Sequence, residues 1–287
     1  MYRNFFLLFI LTVVIALGVF LLQKPALTTD KLRQAYHQYA AYQEKYYDID
    51  QYSSTFPVKH YSLYKVQNYQ FFIEPDKKDH IKSILLAGKP WEPYLRGYMA
   101  KYIRKNSQVV DVGAHIGTHT VYFSTLVGER GQVYAFEPQL KIFLELNANL
   151  LANRANNVKT FRYALGDKMG RIEMNKSEIE NEGGTAVGHG GDRADQITLD
   201  SLKLNNVSFI KIDVEGYEDH VLDGAVKTIT QNKPVILCEI QGHVSPENAT
   251  SADKARIKQT LGKFKAWGYR ILQVGPADYL ALPASKS

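Results

Sequence analysis

Val109-Val110-Asp111-Val112-Gly113-Ala114-His115-Ile116-Gly117-Thr118-His119-Thr120 is the stretch on which the fold turns. The apolar residues entering it predict a strand over Ser107–Val112. The strand ends on an acid and passes through two glycines into a predicted helix over Thr118–Val127. Glycines at such a turn let backbone approach a ligand closely and leave the helix N–H groups aimed at it.

The same alternation continues downstream. Apolar runs of strand length recur at Gln132–Phe136, Val158–Ala164, Val207–Val214 and Pro234–Ile240, and helical patterns at Leu140–Asn153, Tyr217–Gln231 and Asp253–Gly268. Tyr269–Val274 and Tyr279–Leu282, joined through Gly275-Pro276, predict a closing hairpin. Strands joined by crossover helices imply an α/β fold, a right-handedly wound parallel sheet with helices on both faces. In such sheets a ligand sits outside the carboxyl ends of the strands, where the winding reverses. The residues just past each strand therefore carry the chemistry.

Composition narrows the function classes. Of the 287 residues, 45% are hydrophobic and 22% charged, which is globular and excludes wholesale disorder. The one cysteine, Cys238, excludes an intramolecular disulfide scaffold and a cysteine-built zinc site. The net charge of +6 is unevenly placed: residues 1–106 hold fifteen Lys/Arg against eight Asp/Glu, the remainder twenty against twenty-one. The larger part thus has no bulk attraction for phosphate backbones, and no nucleic-acid partner is expected.

The basic excess lies beside an uncharged run of eighteen residues, Phe5–Leu22. As a helix it would measure roughly 27 Å, enough to cross a hydrocarbon core. A cleaved signal peptide is the rival reading. It is disfavoured because the run exceeds the usual apolar region and leads into Gln23-Lys24-Pro25 without a small-x-small site. The expectation is a single-pass anchor over residues 1–23. Arg3 precedes it, and Lys24, Lys31, Arg33 and Lys45 follow, which favours a cytoplasmic catalytic body. Residues 24–80 then form a membrane-proximal part: a helix over Asp30–Tyr47 with a tyrosine stripe, and short strands with a turn over Tyr61–Ile73. Trp91–Arg104 predicts a helix within the main domain, residues 81–287.

Five strand ends can be read for chemistry. After the first come Asp111, Gly113, His115 and Gly117. The G-x-G-x-x-G of a nicotinamide dinucleotide site is absent, and an acid here suits the cationic sulfonium and ammonium of S-adenosyl-methionine better than a phosphate. Glu137, about twenty residues beyond the turn, is placed to accept ribose hydroxyls. Ala164 and Asp167 follow the third strand, where Asp167 would accept from an adenine amino group. Around the fourth, period-two alternation puts Lys211, Asp213 and Glu215 on one face. A lysine inside a central strand needs an acidic partner. Glu239 and His243 emerge at the fifth. His115 and His119 have i,i+4 spacing, but no third ligand accompanies them and no metal is expected.

Together these segments resemble the FkbM family of S-adenosyl-methionine-dependent methyltransferases. The residues carrying the resemblance are VVDVGAHIGTHT (109–120), YAFEP (134–138), ALGD (164–167), ITLDSL (197–202), FIKIDVEGYE (209–218) and ILCEI (236–240). They stand in the family's order and cover roughly residues 80–275. The resemblance implies a Rossmann-like class I methyltransferase fold with a mixed seven-stranded sheet, and O-methylation of a hydroxyl-bearing acceptor such as a sugar or glycan. His115 departs from it, because the family usually has Asn there. Both residues tolerate left-handed backbone, so the turn is expected to survive.

The segment Glu180–Arg193 holds five glycines within nine positions and reads as a lid with little order of its own. The base that removes the acceptor proton is expected among Asp213, Glu239, Glu215 and His243, and sequence does not separate them. A membrane-anchored scaffold that keeps the fold without catalysis is the alternative.

Overall fold

The computed structural model describes residues 61–75, 79–176, 182–240 and 250–284. The expected membrane span, the tyrosine-bearing helix and His243 lie outside these residues. Among the described residues no helix is long and apolar enough to cross a membrane.

The chain enters through a hairpin of β1 (Ser62–Val66) and β2 (Tyr69–Ile73), followed by α1 (His80–Leu86) and a 3-10 turn, Pro93–Leu95, leading into α2 (Arg96–Tyr102). The alternating body comprises β3 (Gln108–Val112), α3 (Thr120–Val127), β4 (Gln132–Phe136), α4 (Leu140–Ala152) and β5 (Val158–Phe161). It resumes with β9 (Val207–Ile212), α5 (Glu218–Asp223), α6 (Val226–Asn232), β10 (Val235–Glu239) and α7 (Ser251–Ala266), and closes with β11 (Tyr269–Gln273) and β12 (Asp278–Pro283). Between the two halves stand β6 (Tyr163–Leu165), β7 (Gly170–Asn175) and β8 (Gly190–Ile197).

The main sheet has seven strands in the order β11-β12-β10-β9-β3-β4-β5, with β12 antiparallel to both its neighbours. The pairings from β10 through β5 are parallel. This is the mixed, seven-stranded Rossmann-like sheet that the sequence implied. The chain moves outward from β3 through β4 to β5, then returns to β9 on the other side of β3. The winding therefore reverses between β3 and β9, and a crevice opens there.

All six residues of β9 are buried, as a strand covered on both faces requires. Alternation sends Val110 and Ile210 into one apolar layer with Leu222 and Phe264. It sends Val109 and Phe209 into the other, with Phe123 and Met99. A third layer joins Phe71 and Ile73 of the hairpin to Ile142 and Leu146 of α4. The hairpin, N-terminal to the boundary expected at 81, thus shares a core with the alternating body. Cys238 is wholly buried in β10.

Three elements differ from the sequence reading. The run Val158–Ala164 divides between two sheets, β5 in the large one and β6 in a three-stranded one ordered β6-β8-β7. The helix expected over Tyr217–Gln231 breaks at Gly224-Ala225, because Gly224 packs against the Gly166 carbonyl where a Cβ would overlap. The glycine-rich stretch, expected to carry little order, supplies the start of β8. Gly191 allows that strand to run hard against the backbone of Asn175, and β8 pairs with both β6 and β7.

Candidate active site

Three loops meet at the reversal point. The Asp213 N–H donates to the Val112 carbonyl at 3.0 Å, and the Gly113 and Ala114 N–H groups donate to the Phe136 carbonyl at 3.0 and 2.9 Å. Gly113 has φ +78°, and any Cβ on it would overlap the Asp213 carbonyl oxygen. Glycine is thus required both for conformation and for space. His115 holds the left-handed conformation at φ +48°, as expected of its tolerance for it.

That turn delivers the His115 N–H to Glu137 Oε2 at 3.0 Å, while the Gln139 N–H donates to Oε1 at 2.9 Å. Glu137 is buried, and burial pushes its pKa up to about 8 despite these two donors. The His115 ring nitrogens are also buried, and among the described residues neither has a hydrogen-bond partner. Burial lowers its pKa to about 4, so it stays neutral near pH 7.

A cleft of about 900 Å³, counting the open solvent at its mouth, lies beyond these strand ends. Of the expected site residues, Gly113, His115, Glu137, Ala164, Asp213, Glu215 and Glu239 line it. His80 and Trp91 form one wall, and Tyr217 another. The glycine-rich segment contributes Gly183, Gly184, Thr185 and Val187. Its anchor is Glu182, which accepts Lys82 Nζ at 2.6 Å and Lys141 Nζ at 2.7 Å. Both lysines also reach the buried Glu145, at 2.8 and 3.0 Å.

Three residues expected at the cofactor, Asp111, Gly117 and Asp167, do not line the cavity. Asp111 is 1% exposed and lies behind the cavity, where Thr120 Oγ1 donates to its Oδ2 at 2.6 Å and, among the described residues, nothing donates to its Oδ1. Gly117, at φ +91°, faces Leu146 of α4. Asp167 pairs with His220 Nδ1 at 3.6 Å.

Asp111 stands in register opposite Lys211 across β3 and β9, and Lys211 Nζ donates to Asp213 Oδ2 at 2.8 Å. Burial works to lower the lysine's pKa, yet Asp213, Asp111 and Glu92 hold it above its usual value. Lys211 therefore remains a cation, as its place in the strand demands. Glu215, left-handed at φ +50°, is pushed up to about 7, first by burial and then by Asp213 and Glu218. Burial and the neighbouring Asp213 push Glu239 up to about 10.

Sequence reasoning missed a group beside Glu239. Glu92 and Asp278 share the Tyr94 hydroxyl, which donates at 3.3 and 2.8 Å, and His119 Nε2 lies 2.9 Å from Glu92 Oε2. One carboxylate oxygen from each of Glu92, Glu239 and Asp278 lies within 4.8 Å of the others. Three segments remote in sequence supply them, so no motif announced the cluster. His119 serves Glu92 while His115 faces the cavity, which leaves their i,i+4 spacing without a shared role.

Several solved structures are similar in fold. The FkbM methyltransferase from Methylobacillus flagellatus KT aligns at 17% identity and a TM-score of 0.45, covering 70% of this chain and 52% of its own. The chain therefore spans about half the length of that relative. A putative rRNA methylase from Clostridium thermocellum aligns at 14% identity and a TM-score of 0.44, covering 65% and 90%. An S-adenosyl-methionine-dependent O-methyltransferase from Thermotoga maritima aligns at 12% identity and 0.42, covering 76% and 75%. No curated protein matches the chain. The family model described as the methyltransferase FkbM domain matches residues 111–271. Because that match spans more than half of the 287 residues, the chain belongs to the FkbM methyltransferase family.

Proposed function

We propose that the chain is an S-adenosyl-methionine-dependent O-methyltransferase that modifies a sugar or glycan hydroxyl. In the same proposal residues 1–23 anchor it to a membrane, residues 24–80 lie close to that membrane, and the catalytic domain is on the cytoplasmic side. The observation that carries the enzymatic reading is the cavity at the β3–β9 reversal, walled by Gly113, Glu137, Asp213 and Glu215.

The residues present fit the methyl donor. After accepting from His115 and Gln139, each Glu137 oxygen keeps a lone pair for a ribose hydroxyl. The carboxylates of Asp213 and Glu215 give the cavity a negative wall that suits a cationic ligand. S-adenosyl-methionine supplies an electrophilic methyl group carried on a sulfonium. The chain's own task is to align acceptor oxygen and methyl carbon and to exclude water. Asp213, ion-paired with Lys211, accepts the acceptor proton in this reading, with Glu215 next in order.

Calorimetry with S-adenosyl-methionine tests the pocket, and transfer of labelled methyl groups to cell-envelope glycans tests the reaction. Saturable binding followed by label in a glycan fraction is the expected result. Binding without transfer to any acceptor would favour the non-catalytic scaffold, and absence of binding would sink the reading altogether.

A further inference from the structure

The carboxylates of Glu92, Glu239 and Asp278 come from the segment before α2, the end of β10 and the start of β12, and meet at one edge of the cavity. Proximity of acids alone does not make a site. What sets this group apart is the unequal provision of donors. Glu92 is held by His119 and Tyr94, and Asp278 by Tyr94. Glu239 is 8% exposed, and among the described residues no hydrogen-bond donor or counter-cation reaches its carboxylate. Lys211, the buried cation of this region, is committed to Asp213. A buried carboxyl group without a donor, aimed at two others that are already oriented, must either hold a proton or gain a cation.

We propose that Glu92, Glu239 and Asp278 bind a hard divalent cation, magnesium or manganese, at the edge of the cavity. All three donors are carboxylate oxygens, with no imidazole or thiolate among them, and that set selects magnesium, manganese or calcium over zinc or copper. Tyr94 and His119 act on the ligands rather than on the ion: they fix the carboxylates of Glu92 and Asp278 in place. Three protein oxygens leave about three positions of an octahedron to water or ligand oxygens. Glu239 lines the cavity, so those positions face the space where the acceptor would lie. The cation site stands without the methyl donor and is testable in its absence.

The test uses the full-length chain in detergent, without S-adenosyl-methionine, titrated with manganese(II). Free manganese is followed by its solution paramagnetic-resonance signal, and magnesium is added as competitor. One saturable site displaced by magnesium is expected. In Glu239→Gln and in Asp278→Asn the affinity should fall by more than about tenfold. Thermal unfolding separates loss of a ligand from loss of fold. Without metal, Glu239→Gln is expected to melt no lower than the parent, since an uncharged amide replaces a carboxyl whose surroundings already disfavour charge, yet manganese should no longer raise its Tm. Unsaturable binding in the parent, or unchanged affinity in both variants, would overturn the site.

Discussion

The carbonyl oxygen of Asp213 occupies the space that a side chain on Gly113 would need. The loops after β3 and β9 are thereby in backbone contact, and the cavity takes its floor from that contact. Gly113→Ala is expected to cost about 3 kcal/mol or more, from overlap together with the left-handed φ of +78°. Gly262, inside α7 with nothing near its missing Cβ, supplies the opposite case: Gly262→Ala should stabilise by about 1 kcal/mol. Denaturant unfolding of the two variants checks both signs.

Glu137 and Asp111 should separate in their effects, although both are acids at strand ends. Glu137→Ala removes a cavity-lining carboxylate, and S-adenosyl-methionine affinity should fall about tenfold or more. Asp111→Ala leaves the lining intact but deprives Thr120 of its acceptor and Lys211 of a neighbouring charge, so its main effect should be a lower Tm. Calorimetry alongside thermal melts reads the contrast. Equal affinity losses at equal stability in the two variants would contradict this placement.

Glu215 makes the stability of the ligand-free protein fall as pH rises. Its folded pKa, about 7, exceeds the ordinary 4.5. Between those two pH values the unfolded chain has released a proton that the folded chain retains, so the folded state loses ground across that window. Glu137 acts in the same sense up to about pH 8. Glu215→Gln should flatten the decline between pH 5 and 7 while leaving the part above 7. Melting curves at half-unit pH intervals would show it.

Lys82 is wholly buried between Glu145 and Glu182. Lys82→Met leaves two acids sharing Lys141 alone, and should destabilise by about 3 kcal/mol. Glu182→Gln is a milder cut, because it loosens only the tie between the glycine-rich segment and the body. Proteolysis near Gly183–Gly191 should then quicken while the global Tm changes little. An unchanged cleavage rate would mean that the segment is held by its β8 pairing instead.

The proposed anchor has its own check. The full-length chain should remain with membranes through an alkaline carbonate wash, and a chain lacking residues 1–23 should leave them. Release of the full-length protein by carbonate would remove the anchor from the proposal.

The large sheet was legible because its strands are fully buried, and near-continuous apolar runs such as Val207–Ile212 announce themselves. The first glycine turn was legible for a related reason, since Gly113 answers a local backbone demand. The small sheet was not. β8 begins in Gly190-Gly191, residues with no strand preference, and forms because neighbouring strands pair with it on both sides. Glu137 and Asp213, singled out at strand ends, line the cavity, whereas Asp111, singled out in the same way, is buried against Thr120. Glu92 and Asp278 were invisible, because the sequence distance between them, and from both to Glu239, is set only by the folded path.

The single sulfur of Cys238 lies at the end of a strand in the middle of the large sheet, wholly buried, with burial first among the causes raising its pKa. A native population should therefore be inert to alkylating reagents. Any modification has to wait for the sheet itself to part. That one atom makes the unaltered chain its own clock for global opening, with no engineered label and no second thiol to confuse the reading.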